Sequence, residues 1–191
     1  MKRKINIDFL LLHYHKNIKK IWESMLMRTV TILLTRYSDL FGKFICAIGG
    51  NQYSHASVSI DGNEEIFYSF NYKGFVIEKP KKYVPKTRVP GSVCIRMQIP
   101  EETYRLLELE INHFIVHREK FSYSRLGVVL CLLHIPHRFD NQYFCSRFVA
   151  EVLSKAGVIE LKKNESLYLP NHFLDGIECL FSPKQIIYNA I

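Results

Sequence analysis

The chain has 191 residues, a net charge of +8 and 48% apolar residues, which is typical of one domain with a substantial core. Its five cysteines have neither disulfide-framework nor zinc-ribbon spacing, and no apolar stretch is long enough to span a bilayer. These features argue against a disulfide-rich secreted domain, a zinc module and an integral membrane protein. Because no secretory signal is recognised, free cysteines predict a reducing compartment, most simply the cytoplasm, with the inner membrane surface as a peripheral site.

Residues 1–28 are predicted to be a basic, amphipathic helical extension of a main domain at 29–191. Residues 1–50 hold nine Lys or Arg against three Asp or Glu. Such a segment could contact anionic lipid or nucleic acid. The alternative is a basic helix that is exposed to solvent and binds no partner. Nucleic acid is not expected as a partner, because the Lys-rich stretch 79–88 contains only one aromatic residue.

A series of strands is predicted in the first half of the main domain, from β-branched content and from alternation of apolar and polar residues. The predicted strands are Thr29–Thr35, 53–60, Ile66–Asn71, Phe75–Glu78 and 92–99, with a short helix at Asp39–Ile48 and a Pro- and Lys-rich loop at 79–91.

Three helices are predicted in the second half: one from Pro100 to about His117, one over Tyr123–Leu133, and one beginning near Cys145 and ending at Gly157. His113 and His117 are four residues apart on the first of these helices, a spacing that zinc can use. No third ligand is evident, so a solvated helix face is favoured and no metal or other cofactor is predicted.

Cys145 is the candidate nucleophile. An apolar stripe follows it at helical spacing, which puts Cys145 in the first turn of a buried helix face. The helix dipole and the unpaired N–H groups of a first turn lower a thiol pKa and could hold an oxyanion. The alternative is a cysteine that only packs.

His55 is the candidate base that would take the proton of the thiol. In the strand at 53–60, His55 shares one face with Ser57 and Ser59, and Ala56 and Val58 share the other. The small serines leave room for a helix, so the cysteine helix is expected to pack on the His55 face. A hydrogen-bonded histidine on a half-exposed strand is the alternative.

A third polar group is expected to orient the imidazole through its other nitrogen. In a hairpin that turns at 61–64, residues 67–70 lie beside His55, so Ser69 is the predicted third residue and Asn71 the runner-up. Either side chain could instead cap a backbone group.

Taken together, these stretches resemble a known superfamily. Tyr53–Ile60, Phe67–Phe70, Gly74–Val76 and Tyr143–Ala150 are similar to circularly permuted papain-like proteins of the NlpC-type cysteine peptidase superfamily, in its bacterial YiiX-like branch, with lecithin:retinol acyltransferase-like enzymes as relatives. The resemblance covers about residues 29–176. It implies an α+β fold in which an antiparallel sheet of about five to six strands carries the nucleophile helix on one face, with the histidine preceding the cysteine in a permuted order.

The resemblance also implies Cys145 as nucleophile and His55 as base. Tyr53, Asn71 and Phe144, in and beside the resembling stretches, are the predicted substrate contacts. The superfamily often has His, Glu, Gln or Asn as its third residue. Ser69 departs from that pattern and would orient an imidazole weakly.

Three functions follow as expectations. The first is hydrolysis of an amide bond in a peptide-like substrate through an acyl-enzyme on Cys145. The second is lipid ester or thioester transfer, supported by the basic segment 1–28, a possible peripheral membrane contact, and by the apolar segment 126–135. The third is a ligand-binding module without turnover, which a weak third residue would allow.

Overall fold

A computed structural model describes residues 27–36, 43, 46–47, 52–80 and 91–189. The helical extension predicted at 1–28 lies outside these residues except for Met27 and Arg28, which are the first two residues of a strand and not helical. The same holds for the loop at 81–90 and for most of the helix predicted at Asp39–Ile48, of which residues 43 and 46–47 are helical.

The described elements follow in chain order. They are β1 (Met27–Thr35), β2 (His55–Ser59), β3 (Phe67–Asn71), β4 (Gly74–Glu78), β5 (Ser92–Pro100), α1 (Glu101–Val116), a 3-10 turn (Arg118–Lys120), β6 (Ser122–Tyr123), α2 (Arg125–Leu132), β7 (Gln142–Tyr143), α3 (Cys145–Lys155), β8 (Ile159–Leu161), a 3-10 turn (Glu165–Leu167), α4 (His172–Asp175), β9 (Ile177–Cys179) and β10 (Gln185–Tyr188).

The main sheet has six strands in the order β10-β5-β1-β2-β3-β4, and every neighbouring pair is antiparallel. Two small two-stranded sheets, β6-β7 and β8-β9, stand beside it. The predicted α+β class and strand number are therefore confirmed, whereas the permuted papain-like topology stays a prediction.

The central position of β1 follows from its composition. Val30 to Leu34 are all buried, because an apolar, β-branched run suits a strand that is covered on both faces. Its register sets Ile32 opposite Val58 and Leu34 opposite Ala56, so these apolar side chains form one continuous face. Helices α1 and α3 cover that face and complete the main core.

The face on which the nucleophile helix packs was predicted wrongly. Phe148 and Val149 of α3 share a core with Ala56 and Val58, whereas the prediction had placed the helix on the face that carries His55, Ser57 and Ser59. The physical reason is area: an apolar helix stripe removes more apolar surface from water against Ala56 and Val58 than against serines.

Aromatic rings fill the space between α1, α3 and the strands. The ring centroid of Phe148 lies 5.3 Å from that of Phe70, 5.6 Å from that of Phe75 and 4.9 Å from that of Phe114. These tilted and edge-to-face contacts fix α3 over β3 and β4, and thereby fix the position of its first residue.

Within the described part of the chain, no helix combines the length and the hydropathy that crossing a membrane requires.

Candidate active site

Cys145 is the first residue of α3, and Phe144 precedes it with an extended backbone at the N-cap position. The Phe144 side chain makes no capping hydrogen bond, so the first-turn N–H groups, which lack partners within a helix, are available to other acceptors. The backbone N–H groups of Ser146 and Ala56 donate to the Cys145 sulfur. The thiol is therefore held by both the helix and the sheet.

His55 is the first residue of β2, and its side chain is hydrogen-bonded to Cys145. Its Nε2 lies 3.0 Å from Oε2 of Glu78, at the end of β4. Because Glu78 occupies Nε2, the ring nitrogen left for the sulfur is Nδ1. Cys145 is 6% exposed and His55 3% exposed, so the thiol and the imidazole are shielded from water, whereas the Glu78 carboxylate is only half-buried.

A short ladder between β2 and β3 explains how the sulfur reaches Ala56. These strands are registered through a single pair, Val58 and Tyr68. At Ala56, the hydroxyl of Ser69 donates to the carbonyl oxygen at 2.7 Å, and the N–H donates to the Cys145 sulfur. The Ser69 hydroxyl and the Cys145 thiol thus satisfy the backbone C=O and N–H groups of Ala56, which would bond to β3 if the β2–β3 pairing were longer.

Electrostatics favour the charged forms of both groups. Burial alone would lower the pKa of His55, but hydrogen bonds and negative charge from Cys145 and Glu78 raise it well above its ordinary value. Burial alone would raise the pKa of Cys145, yet the hydrogen bond and charge of His55, with the N–H groups of Ala56 and Ser146, lower it. The arrangement stabilises a thiolate–imidazolium pair.

Buried charges anchor the segment that leads into α3. Arg147 Nη1 donates to the carbonyl oxygens of Phe139 at 3.2 Å and Gln142 at 2.6 Å, and its guanidinium lies 4.4 Å from the Tyr143 ring centroid. The Tyr143 hydroxyl donates to Glu151 Oε1 at 3.1 Å. These contacts fix the entry to the helix, and with it the position of Cys145.

The segment 168–171 contacts both halves of the site. Ser146 Oγ donates to the carbonyl oxygen of Tyr168 at 2.6 Å, and the backbone N–H of Tyr53 donates to Asn171 Oδ1 at 3.0 Å. Because these partners neighbour Cys145 in α3 and His55 in β2, the segment ties the helix start to the strand start.

The predicted third residue needs a correction. Ser69 donates to Ala56 and not to His55, and Asn71 Oδ1 accepts from the backbone N–H of Lys73 in the β3–β4 turn. Both side chains serve the backbone, which was the alternative held open for them. Glu78 makes the contact with the imidazole.

Glu78 was missed because it is two strands away from His55, with β3 between them. The hairpin pattern in the sequence points only to the neighbouring arm, β3. One signal was available: Glu78 is the sole Asp or Glu between residues 67 and 78.

Two of the predicted substrate contacts lie in the interior. Tyr53 is fully buried in the main core, and Phe144 packs with Val128, Cys131 and Leu169 in a smaller cluster. Neither side chain is open to a substrate in this arrangement. Asn71 is half-buried, at the end of β3.

No family model matches this chain, and no curated protein matches it either. The likeness to permuted papain-like proteins stays a prediction, and so do the catalytic roles of Cys145 and His55. What can be said of function therefore rests on the geometry of the site.

Proposed function

We propose that the protein is a thiol-dependent hydrolase that cleaves an amide bond of a peptide-like substrate through an acyl-enzyme on Cys145. The observation that carries this proposal is the hydrogen-bonded chain Cys145–His55–Glu78, in which the thiol and the imidazole are buried and a carboxylate oxygen of Glu78 lies 3.0 Å from the imidazole. A nucleophile, a base in contact with it and a group that orients the base are the parts that thiol catalysis requires.

In the first half of the reaction, the Cys145 thiolate attacks the carbonyl carbon of the substrate. The oxygen of the tetrahedral intermediate takes up the negative charge, and backbone N–H groups in the first turn of α3 are suited to stabilise it. The carbon–nitrogen bond then breaks as the His55 imidazolium gives its proton to the departing amine. The products of this half are a thioester on Cys145 and a neutral His55.

In the second half, neutral His55 accepts a proton from a water molecule that attacks the thioester carbon. The carbon–sulfur bond breaks, the carboxylic acid product leaves, and the thiolate–imidazolium pair is restored. Throughout, Glu78 holds Nε2 and offsets the positive charge of the ring, so that Nδ1 faces the sulfur.

An amide is favoured as the scissile bond because of the protonation state of His55. An amine is a poor leaving group until it is protonated, so the reaction needs an acid that is already charged at neutral pH. The raised pKa of His55, caused by Cys145 and Glu78 despite the opposing effect of burial, supplies that acid.

Lipid ester or thioester transfer is the second candidate. The observation in its favour is that α2, which packs against Phe144 beside the nucleophile, turns several apolar side chains outward. The binding module without turnover was suggested by a weak serine at the third position. Glu78 removes that reason, and the absence of turnover becomes an outcome of the test.

The test has two separate arms: site-resolved alkylation by iodoacetamide, and incubation of unalkylated protein with a library of peptide amides. Cys145 is expected to react first among the five cysteines, and an acyl adduct on Cys145 should be trapped by mass spectrometry. Cys131 is the internal control, since it is as buried as Cys145. Burial raises the pKa of the Cys131 thiol to about 12, so Cys131 should react slowly. The variant His55→Gln should slow labelling of Cys145 alone.

Equal labelling of Cys131 and Cys145, or unchanged labelling of Cys145 in His55→Gln, would contradict the thiolate–imidazolium pair. Selective labelling without any acyl adduct or product would instead favour the binding module.

A further inference from the structure

The outward face of α2 and of the turn after it is apolar. Leu126, Val129, Leu133 and Ile135 are each between 41% and 62% exposed. The first three are spaced by three and four residues, which aligns them along one side of the helix. We refer to these four residues as the α2 apolar patch. An exposed group of this kind on a folded protein indicates an interaction surface.

The surroundings of the α2 apolar patch are cationic. The sequence has no Asp or Glu from Phe121 to Phe139, and the Arg125 side chain is exposed along this stretch. Arg138, in contrast, pairs with Glu165 at 3.1 Å and adds little net charge. The patch therefore suits a partner that is apolar within and negatively charged at its surface.

A further cation reinforces this charge. Lys163 Nζ lies 2.8 Å from Nδ1 of His172, and the charges of Lys163 and His134 both help to lower the pKa of His172, after the larger effect of its burial. Helix α2 contacts the 3-10 turn Glu165–Leu167, so Lys163, two residues before that turn, lies on a segment beside α2. Positive groups thus border the patch beyond the helix itself.

Helix α1 provides a contrast within the same molecule. It also exposes large apolar residues, Leu106 and Leu109 among them. Glu102 and Glu108 are exposed among these residues. Their negative charges repel an anionic surface and favour contact with water. Only α2 combines exposed apolar side chains with a stretch free of acids, among the helices that the structure describes.

We propose that the α2 apolar patch docks onto the surface of an anionic membrane. Leucine, valine and isoleucine enter the boundary between headgroups and acyl chains, and the flanking cations meet the acidic headgroups. This inference concerns binding alone and holds whether or not Cys145 turns over a substrate.

Docking would also place the thiol near the bilayer. The inner side of α2, through Val128 and Cys131, packs against Phe144, the residue before Cys145. A helix with its side chains is about 10 Å across, so the nucleophile would lie roughly one helix diameter from the membrane surface.

The test is co-sedimentation of the full chain with phosphatidylcholine vesicles, with and without phosphatidylserine. The wild-type protein is expected to bind the vesicles that contain phosphatidylserine and to bind pure phosphatidylcholine much less. In the double variant Leu126→Ser/Leu133→Ser, the partition coefficient should fall roughly tenfold or more, since two inserted apolar side chains are lost.

The matched control is Leu109→Ser on α1, which removes a leucine that is 66% exposed and should leave binding unchanged. Circular dichroism checks that the variants fold, and Leu133→Ser alone replaces the double variant if that protein unfolds.

Three results would overturn the proposal. One is vesicle binding by the leucine variants at the wild-type level, which would assign binding to residues 1–28 or to overall charge. Another is equal binding to vesicles without phosphatidylserine. The third is a wild-type dimer that the leucine variants convert to a monomer, since the patch would then join two copies of the chain.

Discussion

Replacing Glu78 by glutamine tests the third residue of the site directly. The carboxylate lies 3.0 Å from Nε2 of His55, and its side chain is 22% exposed, so solvent screens the interaction only in part. A neighbouring opposite charge shifts a pKa by roughly one to three units, and one unit corresponds to about 1.4 kcal/mol. Glu78→Gln keeps the shape and a hydrogen bond but removes that charge.

The pKa of His55 should therefore fall in Glu78→Gln, and the thiolate of Cys145 loses part of its stabilisation. We expect alkylation of Cys145 at neutral pH to slow by about tenfold or more, as one pKa unit implies. Alkylation rates measured across pH, together with the NMR titration of the His55 ring protons, give both quantities. Unchanged rates and an unchanged His55 titration in Glu78→Gln would refute the role of the carboxylate.

Ser69→Ala is the matched control for this experiment. Its hydroxyl serves only the Ala56 carbonyl oxygen among the hydrogen bonds described, so the titration of His55 should stay as in the wild type. The loss of a buried hydrogen bond should lower the free energy of unfolding by about 1–3 kcal/mol. A shift of His55 in Ser69→Ala that matches the shift in Glu78→Gln would return Ser69 to the third position.

Further predictions concern pH and packing. Hydrolysis should be bell-shaped with pH, because the thiolate is lost as pH falls through the lowered pKa of Cys145 and the imidazolium is lost as pH rises through the raised pKa of His55; a single titration in the pH–rate profile would contradict the pair. Gly74→Ala should lower the melting temperature, with a cost of roughly 1–3 kcal/mol, because φ is +98° and a Cβ atom would lie 2.8 Å from the carbonyl oxygen of Phe121; an unchanged melting temperature would count against that geometry. Phe148→Ala should cost about 3–5 kcal/mol in denaturant unfolding, since the ring is fully buried; a loss below 1 kcal/mol would mean that α3 does not depend on this ring.

Much of the fold could be predicted because the relevant signals are local. Alternation located β2 and β3, the apolar run of β1 indicated a strand covered on both faces, and Pro100 with two glutamates marked the start of α1. The observed strand boundaries differ from the predicted ones by one or two residues. For example, β1 begins at Met27 and not at Thr29, because no change in the sequence pattern marks its first two residues. The placement of Cys145 in the first turn of its helix was likewise visible in the sequence, whereas His55, predicted as the third residue of a strand at 53–60, is the first residue of β2.

The rest depends on distances between elements, which local patterns do not encode. Alternation separates the two faces of β2 but does not say which face the helix covers. The small serines suggested the His55 face, whereas α3 covers the apolar face. The third residue depends on how far Glu78 reaches across β3 from the edge strand. The spacing of residues along the chain does not predict the distance from the Glu78 carboxylate to the imidazole, because sheet twist and side-chain length set that distance.

The amide at position 56 has an evolutionary consequence. Its N–H and C=O, and not its methyl group, hold the sulfur and the Ser69 hydroxyl. Every amino acid except proline carries that N–H, so small side chains can replace one another here while the grip on the thiol persists. Distant homologues could therefore differ at this position and still share the backbone hydrogen bond to the thiol. A superposition of structures would detect that hydrogen bond, whereas a sequence alignment would not.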